Sequence, residues 1–175
     1  MFYKQKTLFV LSIVCLLVFL FGIIECSQIY ECQNIGDTME GEFEWHYDPS
    51  EGTDCKISWS NNSVEGNYCL KIDYSFLNEK IGWFTISRNV KWDISNYEKI
   101  TFWMKGDGSE SNLIIRISGD DGTTVGYGPF SMRDKSWKEC TAYIKIPTWN
   151  WSKDKKNPEY NQISTISIFL TRDSA

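Results

Sequence analysis

Six aromatic residues stand in segments that are rich in glycine, proline and polar side chains, where a ring is more easily exposed than buried. An exposed ring can stack on the C–H face of a pyranose, while nearby carboxylates and amides bind the hydroxyl groups. Asp121 and Asp154 supply carboxylates in such segments. The pattern predicts a carbohydrate-binding surface, with core packing as the alternative for each ring. The six aromatic residues are Tyr47, Trp83, Tyr127, Trp149, Trp151 and Tyr160.

The sequence supports hydrolytic chemistry less well than it supports carbohydrate binding. A glycosidase needs two carboxyl groups held ~5–9.5 Å apart, and adjacent acids such as Asp120 and Asp121 between glycines are typical of a turn. His46 is the one histidine, and the sequence contains no Gly-x-Ser-x-Gly motif, phosphate-binding glycine loop or metal-binding histidine pair. We therefore expect a non-catalytic protein.

Charge and length limit the possible partners and the number of domains. The 175 residues include 18 Lys and Arg against 23 Asp and Glu, so there is no basic excess to neutralise phosphates. Nucleic acid is therefore excluded as the expected partner. The length is that of one domain, and we expect a monomer.

The N-terminus has the pattern of a secretory leader. Lys4 and Lys6 precede an uncharged, mainly apolar run over residues 7–24. We predict a signal peptide over residues 1–27 and a domain over residues 28–175, secreted or at the cell surface, with no membrane insertion of the mature domain. An uncleaved signal-anchor is the alternative, since the run reaches the lower length limit for crossing a bilayer.

The cysteine count fits export to an oxidising compartment. Removal of the leader takes away Cys15 and Cys26 and leaves an even number of cysteines. Two disulfides are predicted, and the sequence leaves all three pairings open. No C-x-x-C pair indicates zinc. The remaining cysteines are Cys32, Cys55, Cys69 and Cys140.

Two segments match the acceptor pattern for N-linked glycosylation. They begin at Asn61 and at Asn150. The pattern predicts that both asparagines lie in surface loops, and chance matches are the alternative.

Short runs of alternating apolar and polar residues replace helical patterns after the leader. About seven such strands separated by turns predict an all-β sandwich or barrel. A helical turn is expected at Asp93–Tyr97. The predicted strands are residues 55–59, 68–76, 82–90, 99–105, 112–118, 137–146 and 163–171. The aromatic residues expected in core or edge packing are Trp59, Tyr74, Trp92, Tyr97 and Phe169.

The order of motifs resembles the galactose-binding-like jelly rolls of carbohydrate-binding modules, above all family 11, which binds β-glucans. Complex I intermediate-associated domains share much of the pattern. The resemblance covers residues 34–171 and implies a jelly-roll sandwich of two antiparallel sheets, with a polysaccharide along the concave sheet. It also implies ligand roles for Trp83 and for the polar segment at Lys153–Tyr160, where lysine replaces the family's arginine. The motifs are residues 36–41, 64–67, 70–74, 82–84, 92–108, 137–140 and 146–147.

The C-terminal end departs from this family. Its jelly rolls usually close with a Gly-x-x-x-Ile-Asp-Asp-Ile strand, which this sequence lacks. Either the domain is truncated at its C-terminus, or the fold tolerates an exposed edge strand. The family's calcium site uses acids of the first and last strands, and Asp37 and Glu40 match only the first half. Calcium needs six to eight oxygen ligands. A structural calcium ion is therefore the one candidate cofactor, and none is required.

Taken together, the residues and the resemblance predict a secreted, non-catalytic module that binds a β-linked polysaccharide such as a β-glucan. The alternatives are a cell-surface adhesion domain that binds a protein with the same face, or the N-terminal fragment of a glycoside hydrolase.

Overall fold

The computed structural model of the chain describes residues 45–49, 52–76 and 82–172, all within one compact unit. The predicted leader, Cys32, Asp37 and Glu40 lie outside the described residues. Within them the secondary structure is entirely β, and no helix is long and apolar enough to cross a membrane. The strands are β1 (His46–Pro49), β2 (Thr53–Ser60), β3 (Cys69–Phe76), β4 (Trp83–Trp92), β5 (Lys99–Lys105), β6 (Asn112–Gly119), β7 (Thr124–Ser131), β8 (Trp137–Tyr143), β9 (Trp149–Asn150) and β10 (Ile163–Thr171).

Six strands form one antiparallel sheet in the order β1-β4-β10-β6-β7-β9. β10 occupies the middle of this sheet, because it pairs with β4 on one side and with β6 on the other. Its alternation explains the placement: Ile166, Ile168 and Leu170 turn towards the core, and the residues between them turn away from it.

The second layer consists of two hydrogen-bonded strand pairs, β2 with β3 and β5 with β8. Two side-chain hydrogen bonds connect the pairs at their ends. The Tyr74 hydroxyl donates to Asp107 Oδ2 at 2.7 Å, and Trp103 Nε1 donates to Glu65 Oε1 at 3.1 Å. The β2–β3 hairpin is therefore tied to the β5 segment.

The core lies between these layers. Buried aliphatic side chains of β4, β6, β7 and β10 form its centre, and half-buried side chains of both strand pairs pack against it. Phe102 points inward and packs edge-on against Phe130 at 5.1 Å. Its neighbour Trp103 points outward and is 40% exposed. Tyr74, Trp92 and Tyr97 pack against the core, which confirms the expectation for these three residues.

Two expectations about local structure were incomplete. β7 was not predicted, because Gly126, Gly128 and Pro129 interrupt its pattern with residues typical of turns. Asp93 does accept a hydrogen bond from the Ser95 N–H, at 3.0 Å, but the segment forms a turn and not a helix. The all-β fold class itself is confirmed.

The predicted pair of disulfides is wrong for the described cysteines. Cys55, Cys69 and Cys140 are free thiols, and two disulfides among four cysteines would need at least one bond between two of these three. The register keeps Cys55 and Cys69 apart. Cys55 and Cys69 stand towards opposite ends of the β2–β3 hairpin, while Cys140 is buried opposite Phe102 in the other strand pair.

Candidate functional site

One row of residues crosses all six strands of the large sheet. Successive Cα partners in the register place these residues side by side, on the face that points away from the core. We call this face the outer face. With a strand spacing of ~4.8 Å, the row is about 24 Å long. Its members are His46, Ser87, Ser167, Arg116, Gly126 and Trp149.

Two aromatic rings stack on the outer face beside this row. Trp83 at the start of β4 and Phe169 of β10 have centroids 5.7 Å apart and an interplanar angle of 23°. Trp83 is 36% exposed, so part of its ring is available to a ligand. Strand alternation aims both rings outward, since Phe84 and Leu170 beside them enter the core.

A second ring pair lies at the β9 edge of the sheet. Trp149 and Trp151 stack with centroids 6.2 Å apart and an interplanar angle of 17°, and Trp151 is 45% exposed. Gly126 makes room for this pair, because a Cβ at that position would lie 2.5 Å from the Trp151 ring. The Trp151 N–H donates to the Thr124 carbonyl at 3.0 Å, which fixes the segment against β7.

Arg116 joins the two ring pairs. Its guanidinium carbon lies 4.8 Å from the Trp151 ring centroid and 5.4 Å from that of Phe169. Burial lowers the pKa of Arg116, and the negative charge of Asp48 partly opposes this. The buried Nε has no hydrogen-bond partner in the described part of the chain. We call Trp83, Phe169, Arg116, Trp151 and Trp149 the aromatic platform.

Small polar side chains of the sheet lie around and beneath the platform. Thr85, Ser167 and Thr171 are outer-face residues of β4 and β10, yet they are buried. Ile114, which pairs with Phe169, is also buried without belonging to the core cluster. The platform side chains therefore cover the sheet here and form a continuous surface.

Asn150 holds the segment that follows the platform. Its Nδ2 donates to the carbonyls of Lys155 and Lys156 and to Asn157 Oδ1, at 3.0–3.2 Å, while its Oδ1 accepts from the Ser152 N–H at 2.9 Å. The expectation that Asn150 is a loop residue open to glycosylation is wrong, because it lies in β9 and its amide is fully engaged. Asn61 is exposed, as expected for an acceptor.

The two predicted carboxylates stabilise turns. Asp121 Oδ1 accepts from the Thr123 hydroxyl at 2.6 Å and from its N–H at 3.0 Å, and these bonds lower the pKa of Asp121. Asp154 Oδ1 accepts from the Lys156 N–H at 3.2 Å, which lowers the pKa of Asp154. Both side chains are exposed, and their contact with a ligand stays a prediction.

Three of the six predicted rings are not on the outer face. Tyr127 was expected in an exposed loop, which is wrong: it lies in β7, is 2% exposed, and donates to the Ile144 carbonyl at 2.9 Å. Tyr160 is half-buried and donates to the same carbonyl at 2.9 Å. Tyr47 is also half-buried, packs edge-on against the core residue Phe84, and lies 3.2 Å from Thr53 Oγ1.

Sequence reasoning missed Arg116 and assigned Phe169 to core or edge packing. The signal for Phe169 was present, because Ile166, Ile168 and Leu170 occupy the other face of the same strand. Nothing local marks Arg116, since its role depends on two rings distant in sequence. Among the described residues, no group of three or more His, Cys, Asp or Glu side chains could hold a metal ion.

No protein-family model and no curated protein matches the sequence, whereas solved structures match the fold. One is the family 11 carbohydrate-binding module of the cellulosomal cellulase Lic26A-Cel5E of Clostridium thermocellum, with 15% identity, a TM-score of 0.56, and coverage of 75% of this chain and 85% of that chain. Another is the family 11 module from Clostridium thermocellum in complex with a β-1,3-1,4-mixed-linked tetrasaccharide, with 15% identity, a TM-score of 0.57, and coverage of 77% and 88%.

An exo-β-agarase also matches, with 10% identity and a TM-score of 0.51, over 73% of this chain and 21% of that chain. The predicted jelly-roll fold, and its similarity to family 11 modules, are therefore confirmed at the level of the fold.

Proposed function

We propose that this protein is a secreted, non-catalytic carbohydrate-binding module that binds a β-linked polysaccharide, such as a β-glucan, on its outer face. The aromatic platform carries the proposal. It places two ring pairs and a guanidinium in one continuous surface that extends from the middle of a six-stranded sheet to its β9 edge.

The chemistry of the platform suits a sugar chain. Partly exposed tryptophan rings stack on pyranose C–H faces and remove apolar area from water. Arg116 lies between the ring pairs, and a guanidinium has donors to offer to hydroxyl and ring oxygens. Ser87 and His46 continue the row with further polar groups towards β1.

The length of the surface favours a chain over a single sugar. The platform extends from β4 to β9, four strand spacings apart, which is about 19 Å. Several consecutive pyranose rings fit along this distance. The family 11 module solved with a mixed-linked tetrasaccharide has the same fold, which supports this ligand class.

The small number of acidic side chains on the described strands of the outer face favours binding without hydrolysis. Among its described strand residues, Asp48 is the one carboxylate, whereas glycoside hydrolysis uses two. We expect homogeneous protein to release no reducing sugar from β-glucans. Sustained release would contradict this part of the proposal.

Affinity electrophoresis in gels containing soluble β-glucans tests the proposal. Trp151→Ala removes the most exposed ring of the platform, and the stacking lost is about 0.5–1.5 kcal/mol beyond area burial. The variant should bind about two- to tenfold more weakly than the wild type. Tyr143→Ala is the control, because this exposed ring belongs to β8 of the second layer.

The two variants separate the proposed role from a general effect of losing a surface aromatic ring. Equal retardation of Trp151→Ala and wild type would contradict the proposal, and so would no retardation of the wild type by any β-glucan. The latter result would favour the alternative of a protein-binding adhesion domain.

A second proposal concerns the polypeptide that carries this domain. The exo-β-agarase shares the fold over only about a fifth of its own length, 21%, which supports a jelly roll attached to a hydrolase. The coding sequence around this chain in its genome tests the idea. An in-frame hydrolase domain would support it, and a stop codon after Ala175 would contradict it.

A further inference from the structure

We propose a second, smaller sugar-binding site at the free end of the β2–β3 hairpin, and this proposal rests on the proposed carbohydrate-binding function. A wide, open depression of about 710 Å³ lies there, within the size range of small-molecule sites. We call it the hairpin cavity. The lining residues used below are Ser58, Trp59, Asn61, Asn67, Tyr68 and Lys71.

Two aromatic residues line the hairpin cavity. Tyr68 precedes β3 and is 51% exposed. Trp59 is half-buried near the end of β2, where it pairs with Leu70. Trp59 lies outside the core cluster. The exposed ring of Tyr68 offers the face that a pyranose ring needs for stacking.

The polar lining is mostly uncharged. Asn61 and Asn67 contribute amides, and Ser58 contributes a hydroxyl. Lys71 is the one charged lining residue, and its Nζ lies 2.8 Å from Asp73 Oδ2 in an ion pair. Amides and hydroxyls both donate and accept hydrogen bonds, as vicinal sugar hydroxyls require. The chemistry therefore points to a neutral sugar and not to an acidic one.

The hairpin end is held in place before any ligand binds. The Asn62 N–H donates to Ser60 Oγ at 3.2 Å, and the Ser63 hydroxyl donates to the Gly66 carbonyl at 3.0 Å. Trp103 Nε1 adds a bond from β5 to Glu65 in the same turn. A preorganised cavity loses less conformational entropy on binding than a mobile loop does.

The hairpin cavity belongs to the second layer, whereas the aromatic platform belongs to the six-stranded sheet. None of the cavity-lining residues is a platform residue. A polysaccharide chain that reaches both sites would be retained more strongly than a short oligosaccharide, because the second contact becomes intramolecular.

Titration calorimetry of the full chain with a β-1,3-1,4-mixed-linked tetrasaccharide tests this second site. We expect two tetrasaccharides to bind per wild-type chain. Trp151→Ala, which weakens the platform, should retain the weaker binding event unchanged. Tyr68→Ala should abolish that event and leave the platform affinity within twofold of the wild type. Tyr143→Ala is the matched control, since this tyrosine of β8 is 58% exposed outside the cavity.

The possible results distinguish this inference from the proposed function. One binding event that Trp151→Ala weakens and Tyr68→Ala leaves intact would overturn the second site while supporting the platform. Binding that Tyr68→Ala abolishes but Trp151→Ala leaves unchanged would support the hairpin cavity and contradict the platform. Loss of the weaker event in Tyr143→Ala as well would overturn the inference, and circular dichroism checks that each variant is folded.

Discussion

Gly126→Ala tests the aromatic platform without removing any of its side chains. An added Cβ would lie 2.5 Å from Cζ3 and 2.6 Å from Cη2 of Trp151. Carbon atoms in contact stay about 3.5–4.0 Å apart, so the ring must move by ~1 Å or more. This movement disturbs its stacking on Trp149 and its contact with Arg116.

The substitution should change affinity and stability differently. Loss of one stacked ring corresponds to about 0.5–1.5 kcal/mol, or a two- to tenfold weaker affinity for β-glucan. Gly126 is not among the glycines with a left-handed backbone, and alanine at such a site stabilises by about 0.4–1 kcal/mol through the unfolded state. This gain offsets the lost contacts of Trp151, so the free energy of unfolding should change by less than about 1 kcal/mol.

Titration calorimetry with a mixed-linked oligosaccharide and thermal unfolding measure the two quantities. Trp151→Ala provides the background for a double-mutant cycle, because without the ring the new Cβ has no ring to displace. In that background Gly126→Ala should leave affinity unchanged. The reasoning would be refuted if Gly126→Ala alone bound the oligosaccharide with wild-type affinity. It would also be refuted if Gly126→Ala weakened binding equally with and without the Trp151 ring.

Three further predictions concern the described side chains. Asn150→Ala should lower the free energy of unfolding by about 1–3 kcal/mol, since the bonds of its amide hold the following segment; an unchanged denaturation midpoint would contradict this. Burial raises the pKa of Tyr127, so stability should fall as the pH rises above about 10, where the unfolded chain ionises first, and Tyr127→Phe should flatten that fall. Thiol titration of the denatured protein should detect Cys55, Cys69 and Cys140, and fewer than three thiols would be inconsistent with the structure.

Strand positions followed from local patterns where alternation was uninterrupted. The range 163–171 predicted from the sequence is the range of β10, because each inward aliphatic residue there is followed by an outward one. β7 was not predicted, because Gly126, Gly128 and Pro129 are typical of a loop. Pairing with β6 and β9 makes the segment a strand. Sheet neighbours are not visible in a short window of sequence.

The candidate site was predictable only in part for the same reason. Trp149 and Trp151 stood out because polar residues surround them. The positions of Arg116 and Phe169 on the platform depend on the order of the strands, which brings β6 and β10 together at the centre of the sheet. Tyr127 was misplaced because its two flanking glycines indicated exposure, while its burial depends on packing in the core.

The most direct test of binding on the outer face follows the indole N–H signals of the tryptophans by NMR during titration with a β-1,3-1,4-mixed-linked tetrasaccharide. Trp83, Trp149 and Trp151 should show saturable shifts that give one common dissociation constant. Trp103, exposed on the other layer, should not shift with this dissociation constant. Unchanged signals for the three platform tryptophans at saturating tetrasaccharide would contradict binding on this face.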